Sequence, residues 1–403
     1  MTATLKTTII QEPSSATANI TLGTNGSITT GVDATINSVK VGRGGGSVSA
    51  NTAVGTSSLN ANTTGNVNVA VGSFALSKNT TANNNTAVGH GSLQENTIGF
   101  SNTSIGAFTL FDNTSGDENV AVGVQALGNN ETGNKNTSVG TYSLFSNTTA
   151  DNNTAVGFLS LNVNTTGVAN TAVGVNALQQ NTTEGSNTAV GAFTLSANTG
   201  YNNTAVGRSS GGANTTGYEN TAIGAYTFNT NTTGFQNTSV GMNSGNTITT
   251  GSNNTCLGFD AEPPTADATN TFTLGNANIS NLRCADTTIS SLSDQRDKKN
   301  IVDIPVGLDF INSLHPVQFD WDARDGSRQG RKDFGFIAQE LDAVEEQFQS
   351  AEYTRLVHKD NPDAWEADVM KTYPILIKAI QDLSAKVDYL QAKIDANSTN
   401  NIV

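Results

Sequence analysis

The sequence is short of almost everything that an ordinary soluble enzyme uses. Only 13% of its 403 residues are charged and 6% aromatic, with 7 prolines, 2 cysteines and 3 histidines. Two cysteines cannot build a disulfide framework, and Cys256 and Cys284 stand at no metal-ligand spacing. They are expected to be free thiols of a reducing compartment, with one disulfide as the alternative. Lysine and arginine total 20 against 34 acids, a formal charge of −14. With no basic stripe to hold a phosphate backbone, nucleic acid is not an expected partner. No apolar run reaches membrane-spanning length, and Met1 to Ile10 lack the apolar core of a signal peptide. Synthesis in a cytoplasm, without membrane insertion, is the expectation. Disordered chains are usually rich in charge or proline, and this one is rich in neither. Order must then come from backbone ladders, and no cofactor or metal is expected.

What is there is a repeat. The motif Asn-Thr-Ala-Val-Gly starts at Asn51 and its glycine recurs thirteen times, from Gly55 to Gly258, at intervals of 17 residues except for one of 16 between Gly191 and Gly207. Self-similarity of this regularity decides the architecture. An aliphatic residue precedes each glycine (Val54, Val71, Val88, Ile105 and on to Leu257). An asparagine stands four residues before it, from Asn51 to Asn254. A leucine follows four residues after it through nine copies, Leu59 to Leu195, and gives way to Gly211, Phe228 and Gly245. A second asparagine column runs through Asn62, Asn79 and Asn96.

One repeat per rung of a β-solenoid or β-roll accounts for these columns. Two short strands are expected on either side of the glycine, with Thr-Thr-Gly turns closing the coil. In-register stacking then makes a core column of the valines and amide ladders of the asparagines. Twelve intervals at a strand spacing of about 4.8 Å span roughly 58 Å. So thin a coil buries little alone, and three chains around one axis would supply the missing core. The motif resembles repeats in the heads of trimeric autotransporter adhesins and in phage fibre proteins. A flat threonine array for binding ice lacks Thr-x-Thr spacing. A glycan hydrolase needs two facing carboxylates, and the twelve acids of 51–290 form no repeating pair.

The flanks divide the chain further: 1–50 as a β-rich attachment segment, 51–258 as the shaft, 259–292 as a neck with strand-like alternation, and 293–403 as a domain of different composition. Residues 51–290 hold four basic residues, whereas 293–403 hold thirteen and both tryptophans. The fold class expected is mainly β, a trimeric shaft of thirteen 17-residue repeats followed by an α+β domain.

The boundary reads Leu292-Ser293-Asp294-Gln295-Arg296-Asp297-Lys298-Lys299-Asn300-Ile301. Two further stretches follow, Gly335-Phe-Ile-Ala-Gln-Glu-Leu and Tyr373-Pro-Ile-Leu-Ile-Lys-Ala-Ile-Gln-Asp-Leu. Together they resemble the self-cleaving intramolecular chaperone domain of phage endosialidase tailspikes, many tail fibres and the animal myelin regulatory factor. The resemblance implies that Ser293 is the nucleophile, Lys298 its base and Leu292–Ser293 the bond cut. Asp294, Arg296 and Asn300 match the motif as possible supports, and Gln295 and Asp297 stand where it varies. A serine hydroxyl needs a base, and lysine serves as one only when burial or a nearby cation lowers its pKa. Arg296 and Lys299 are the candidate cations, and a trimer interface the candidate source of burial. Any catalysis is expected to act on the chain itself and on no external substrate.

His315 and His358 read as surface or packing residues rather than members of a triad, Trp321 and Trp365 as core, and Glu340 as bonded within its own helix. Leu376, Ile380, Leu383, Val387, Leu390 and Ile394 alternate spacings of four and three, a heptad seam. Its β-branched and leucine positions favour two strands, whereas the resemblance and the thin shaft ask for three. The implied protein is a phage tail-fibre component of the virion, made in the host cytoplasm. Its partners are then tail or baseplate proteins at the N-terminus and a glycan or protein receptor on the host. A bacterial trimeric surface adhesin with the same chaperone is the alternative.

Overall fold

The computed structural model describes residues 20–22, 28–30, 33–36, 38–279, 281–283, 293–324, 328–363 and 365–400. It divides into two compact units, Met1–Asn276 and Ala277–Val403.

The first unit is mainly a β-solenoid. Strands β1 (Ile20–Leu22) and β2 (Ile28–Thr30) pair antiparallel, as do β3 (Ala34–Ile36) and β4 (Val39–Gly42). Strand β4 then runs antiparallel to β5 (Thr52–Val54), the first of a parallel series of three-residue strands that ends with β18 (Phe272–Leu274). Register is set by identity: Thr137 lies beside Thr154, and Val139 beside Val156. Strand β18 lies in the stretch whose alternation suggested a strand beyond Gly258. Much of the expected attachment segment lies outside the described residues, as does Cys284.

Two details differ from expectation. Each rung carries one strand and not two; after the glycine the chain turns continuously, although backbone bonds such as Leu144 N–H to Ser160 C=O still join successive rungs, here at 2.9 Å. The valine column is also not the core. In a three-residue strand only the middle side chain faces inward, so the interior column is Ala53, Ala70, Ala87, Ser104 and onward to Cys256, all buried. Ile105, Val139, Val173, Val190, Val206, Ile223 and Val240 face outward, 36% to 42% exposed. The coil is narrow enough that alanine, serine or cysteine fills it.

The leucine column completes the core at a conformational cost. Leu59, Leu76 and Leu144 are fully buried yet have φ of 49°, 48° and 49°. That left-handed backbone costs about 1–2 kcal/mol per residue, which full burial of a leucine side chain, about 1.5–3 kcal/mol, offsets. Where the column changes, glycine takes the strained position (Gly211 and Gly245, both φ 61°) and the bulk moves to Phe228. A Cβ on Gly245 would meet the Phe228 ring at 2.5 Å, and one on Gly211 would meet the Leu195 side chain at 2.8 Å.

The asparagine columns are the expected amide ladders. Asn153 Oδ1 accepts the Asn170 N–H at 2.9 Å, and its Nδ2 donates to the Gly167 carbonyl at 2.9 Å. In the second column Asn130 Nδ2 donates to Asn113 Oδ1 at 2.8 Å and to the Gly133 carbonyl at 3.0 Å. That column ends where Ile248 replaces asparagine, and Asn231 Oδ1 is left buried with no partner among the described residues.

The second unit is small. Helices α1 (Leu308–Ser313), α2 (Ala338–Gln347), α3 (Ala351–Thr354) and α4 (Thr372–Asn400) accompany the hairpin of β19 (Val317–Asp320) and β20 (Lys332–Gly335), with a two-residue pairing of β21 (Val357–His358) and β22 (Glu366–Ala367). Its buried centre is Val306, Phe310, Leu341, Leu356 and Ile375. Buried Glu345 holds the turn after α2 by accepting the Leu356 N–H at 2.7 Å and the Thr354 hydroxyl. Along α4 the heptad residues Leu376, Ile380, Leu383, Val387, Leu390 and Ile394 are 39% to 65% exposed, an apolar seam left open among the described residues. Among the described residues no helix is long and apolar enough to cross a membrane.

Candidate active site

The site is assembled by one tight turn at the head of the second unit. Asp294 is extended (φ −68°, ψ 135°) and caps the single 3₁₀ turn Gln295–Asp297, its Oδ1 accepting the Arg296 N–H at 2.9 Å. An N-cap carboxylate satisfies a backbone donor that the turn itself leaves free. The Lys298 N–H closes the turn on the Gln295 carbonyl at 3.1 Å, and Lys298 leaves it extended. The lysine side chain thereby returns to the residue five positions earlier. Lys298 Nζ lies 2.6 Å from Ser293 Oγ and 3.3 Å from the Ser293 carbonyl oxygen.

Charge around the pair is arranged asymmetrically. The Arg296 guanidinium grips the Asp294 carboxylate through Nε, at 3.0 and 3.2 Å, and through Nη2, at 2.6 Å. The guanidinium and then the Arg296 N–H hold the Asp294 carboxyl below the usual range, and the same pairing raises Arg296. Ser293, Asp294, Arg296 and Lys298 are all exposed in the single chain. Leu292, the other side of the expected cut, lies outside the described residues. Asn300 makes no contact with the pair among the hydrogen bonds here. It takes a left-handed φ of 53°, which asparagine tolerates better than most residues. Lys298, Lys299 and Asn300 line one wall of a cleft of about 960 Å³, with Asp303, Tyr353 and Lys371 also on its surface.

The remaining candidates fall into place elsewhere. His315 Nδ1 and Glu340 Oε2 are 3.0 Å apart, so Glu340 reaches across to the histidine rather than bonding within its helix. Ser313 lines the same small cleft but its hydroxyl donates back to the Asp309 carbonyl at 2.9 Å, so no triad forms. His315 and His358 are surface residues. The tryptophans are half-buried and not core: Arg328 stands 4.9 Å over the Trp321 ring, and Lys359 stands 4.9 Å over the Trp365 ring. Sequence reasoning missed Glu345, whose only signal was an acid at an inward helix position beside Leu341. Among the described residues no cluster of three His, Cys, Asp or Glu side chains could hold a metal.

Residues 293–351 match the model of the peptidase family described as chaperone of endosialidase. The match begins at Ser293 and includes the Ser293–Lys298 turn and the Gly335-Phe-Ile-Ala-Gln-Glu-Leu stretch; the third stretch, from Tyr373, lies beyond it. It supports a C-terminal intramolecular chaperone domain of the trimer-folding kind, attached to a repeat solenoid. No curated protein and no solved structure matches the chain.

Proposed function

We propose that this protein is a trimeric phage tail-fibre component for host attachment, made in the host cytoplasm and carried on the virion. Its C-terminal domain aligns three chains and then cuts itself off at Leu292–Ser293. The observation that carries the reading is the 2.6 Å approach of Lys298 Nζ to Ser293 Oγ at the first residue of the chaperone match.

The chemistry follows from that contact. Neutral Lys298 takes the proton of the Ser293 hydroxyl, and Oγ adds to the Leu292 carbonyl carbon. The Leu292–Ser293 C–N bond breaks, and its nitrogen takes the proton back from Lys298. This N-to-O shift leaves an ester and a free amine. Water then hydrolyses the ester, giving a Leu292 carboxylate and restoring the serine hydroxyl. A lysine ammonium has no lone pair with which to take the serine proton. Burial by neighbouring protomers is the physical means of releasing its proton, which ties cutting to completed assembly.

Trimerisation is supported twice. The outward aliphatic column and the open seam of α4 are both apolar surfaces that one chain cannot cover, and a closed symmetric assembly buries such surfaces on every copy. Thirteen similar rungs also invite misregister, since a slip of one repeat restores every pairing. A C-terminal template removes that ambiguity, and cutting it away afterwards raises the barrier to unfolding. The test is to express residues 1–292, the full chain and the Ser293→Ala chain side by side. The reading predicts aggregates or misregistered fibres from 1–292, and slower unfolding of the cut shaft than of the uncut trimer. Normal trimers from 1–292 with unchanged unfolding rates would contradict the templating role.

A further inference from the structure

We infer that Asp294 and Arg296 act as one positioning clamp that delivers Lys298 to Ser293, and that Arg296 is not the cation that activates the lysine. The inference rests on the Ser293–Lys298 reading and assigns the two motif residues their work within it.

Two residues five apart meet only if the chain between them turns tightly, and a lone 3₁₀ turn is weak because few bonds hold it. This one has two closing backbone bonds, Asp297 N–H to Asp294 C=O at 3.2 Å and Lys298 N–H to Gln295 C=O at 3.1 Å. Asp294 adds the cap to the Arg296 N–H at 2.9 Å. The same carboxylate receives one edge of the Arg296 guanidinium, Nε and Nη2, at 2.6 to 3.2 Å, a bidentate pairing with fixed orientation. Backbone and side chain of Arg296 are thus both tied to Asp294. The cap holds the N–H of Arg296 and the ion pair its side chain, and Lys298 leaves the turn aimed at Ser293 Oγ.

The same contacts commit the charge of Arg296. A guanidinium paired with a carboxylate presents little net field to a third group, so it does little to release a proton from Lys298. The charged groups that share the cleft wall with Lys298 are Lys299, Asp303 and Lys371, and Asp297 lies within the turn itself. Lysine in place of Arg296 keeps the charge but loses the fork, which separates a clamp from a simple cation.

The experiment follows cleavage of the full-length chain after pulse-labelled in vitro translation, chased into buffers from about pH 6 to pH 10, a range on the acid side of the ordinary lysine value. Trimer formation of each variant is checked in the Ser293→Ala background. Asp294→Ala is expected to slow cleavage about fivefold to tenfold at every pH, the population lost with an N-cap acceptor, with the midpoint of the pH profile unmoved. Asp294→Asn keeps an acceptor for the Arg296 N–H and is expected to recover part of the rate. Arg296→Lys and Arg296→Ala are expected to slow cleavage similarly, again without moving the midpoint, and the Asp294→Ala/Arg296→Ala double variant to be no slower than Asp294→Ala alone. Wild-type rates in Asp294→Ala overturn the clamp. So does a rise of the midpoint by about one unit or more in Arg296→Ala, the signature of a lost neighbouring cation. A Lys298→Ala chain that still cuts refutes the dyad itself, a different failure. Hydrogen exchange supplies a readout without cleavage. In uncut Ser293→Ala chains the Arg296 amide is expected to lose protection with Asp294→Ala and to keep part of it with Asp294→Asn. Equal exchange in all three overturns the clamp.

Discussion

Replacing Asn153 with alanine tests what holds one rung to the next. The side chain is fully buried and spans two rungs, accepting the Asn170 N–H at 2.9 Å and donating to the Gly167 carbonyl at 2.9 Å. Alanine leaves the Asn170 N–H buried and unpaired, a cost of about 1–3 kcal/mol. The Gly167 carbonyl keeps a second donor, Asn164 Nδ2 at 3.0 Å, so its loss is only that of one net bond, about 0.5–1.5 kcal/mol. The sum is about 1.5–4.5 kcal/mol, and water entering the vacated space favours the lower end. In a stacked fold each rung contacts only its neighbours, so the damage is local. Hydrogen exchange read by mass spectrometry should show amides of residues 151–175 exchanging about tenfold faster or more, while rungs four or more repeats away keep their protection. The control is Thr149→Ala, since Thr149 is exposed and its hydroxyl makes no bond among the described residues. Equal exchange in Asn153→Ala and the control would refute the ladder as a source of stability and leave the asparagines as turn residues only.

Other outcomes follow from the same surfaces. Aspartate in place of Val190 or Ile223 puts charge on the outward apolar column, and light scattering should show loss of trimer in favour of monomer or aggregate; trimers of wild-type yield would place the interface elsewhere. Cys256 is buried, and burial pushes its thiol up to about 11, so in the folded shaft it should resist iodoacetamide at pH 8 and react only after denaturation. Glu262 accepts the Asn246 N–H at 2.8 Å and the Thr247 N–H and hydroxyl at 3.0 and 2.7 Å, yet burial, with Asp260 nearby, raises its carboxyl above the usual 4.5. A raised acid contributes stability that is complete below 4.5 and is lost as pH rises through the raised value. Thermal unfolding of wild type should therefore fall relative to Glu262→Gln between pH 4 and pH 7, and parallel curves would refute the assignment.

The period, the thirteen rungs and both amide ladders were legible because in-register stacking demands the same residue at the same place. Which face of the strand points inward was not legible. Thr-Ala-Val is too short for alternation to choose a face, and valine is the more apolar residue. The available signal was restriction in size: the middle position accepts only Ala, Ser or Cys through the thirteen copies, as a narrow interior requires. The change from leucine to Gly211 and Gly245 was visible but became intelligible only with φ, since nothing in the letters says that the leucines are left-handed. At the site, Ser293 and Lys298 were identified through a resemblance, and the turn between them supplies the physical reason for their spacing. Arg296 was expected to be a cation beside Lys298. The sequence could not show that Asp294, two residues away, had already claimed it.

The most direct test of the account is the intact mass of the purified full-length protein, with N-terminal sequencing of any fragment. The account predicts two pieces, one ending at Leu292 and one beginning at Ser293, and a single 41.7 kDa chain for Ser293→Ala and for Lys298→Ala. A wild-type trimer that stays whole, or a Lys298→Ala chain cut at the same bond, would contradict it.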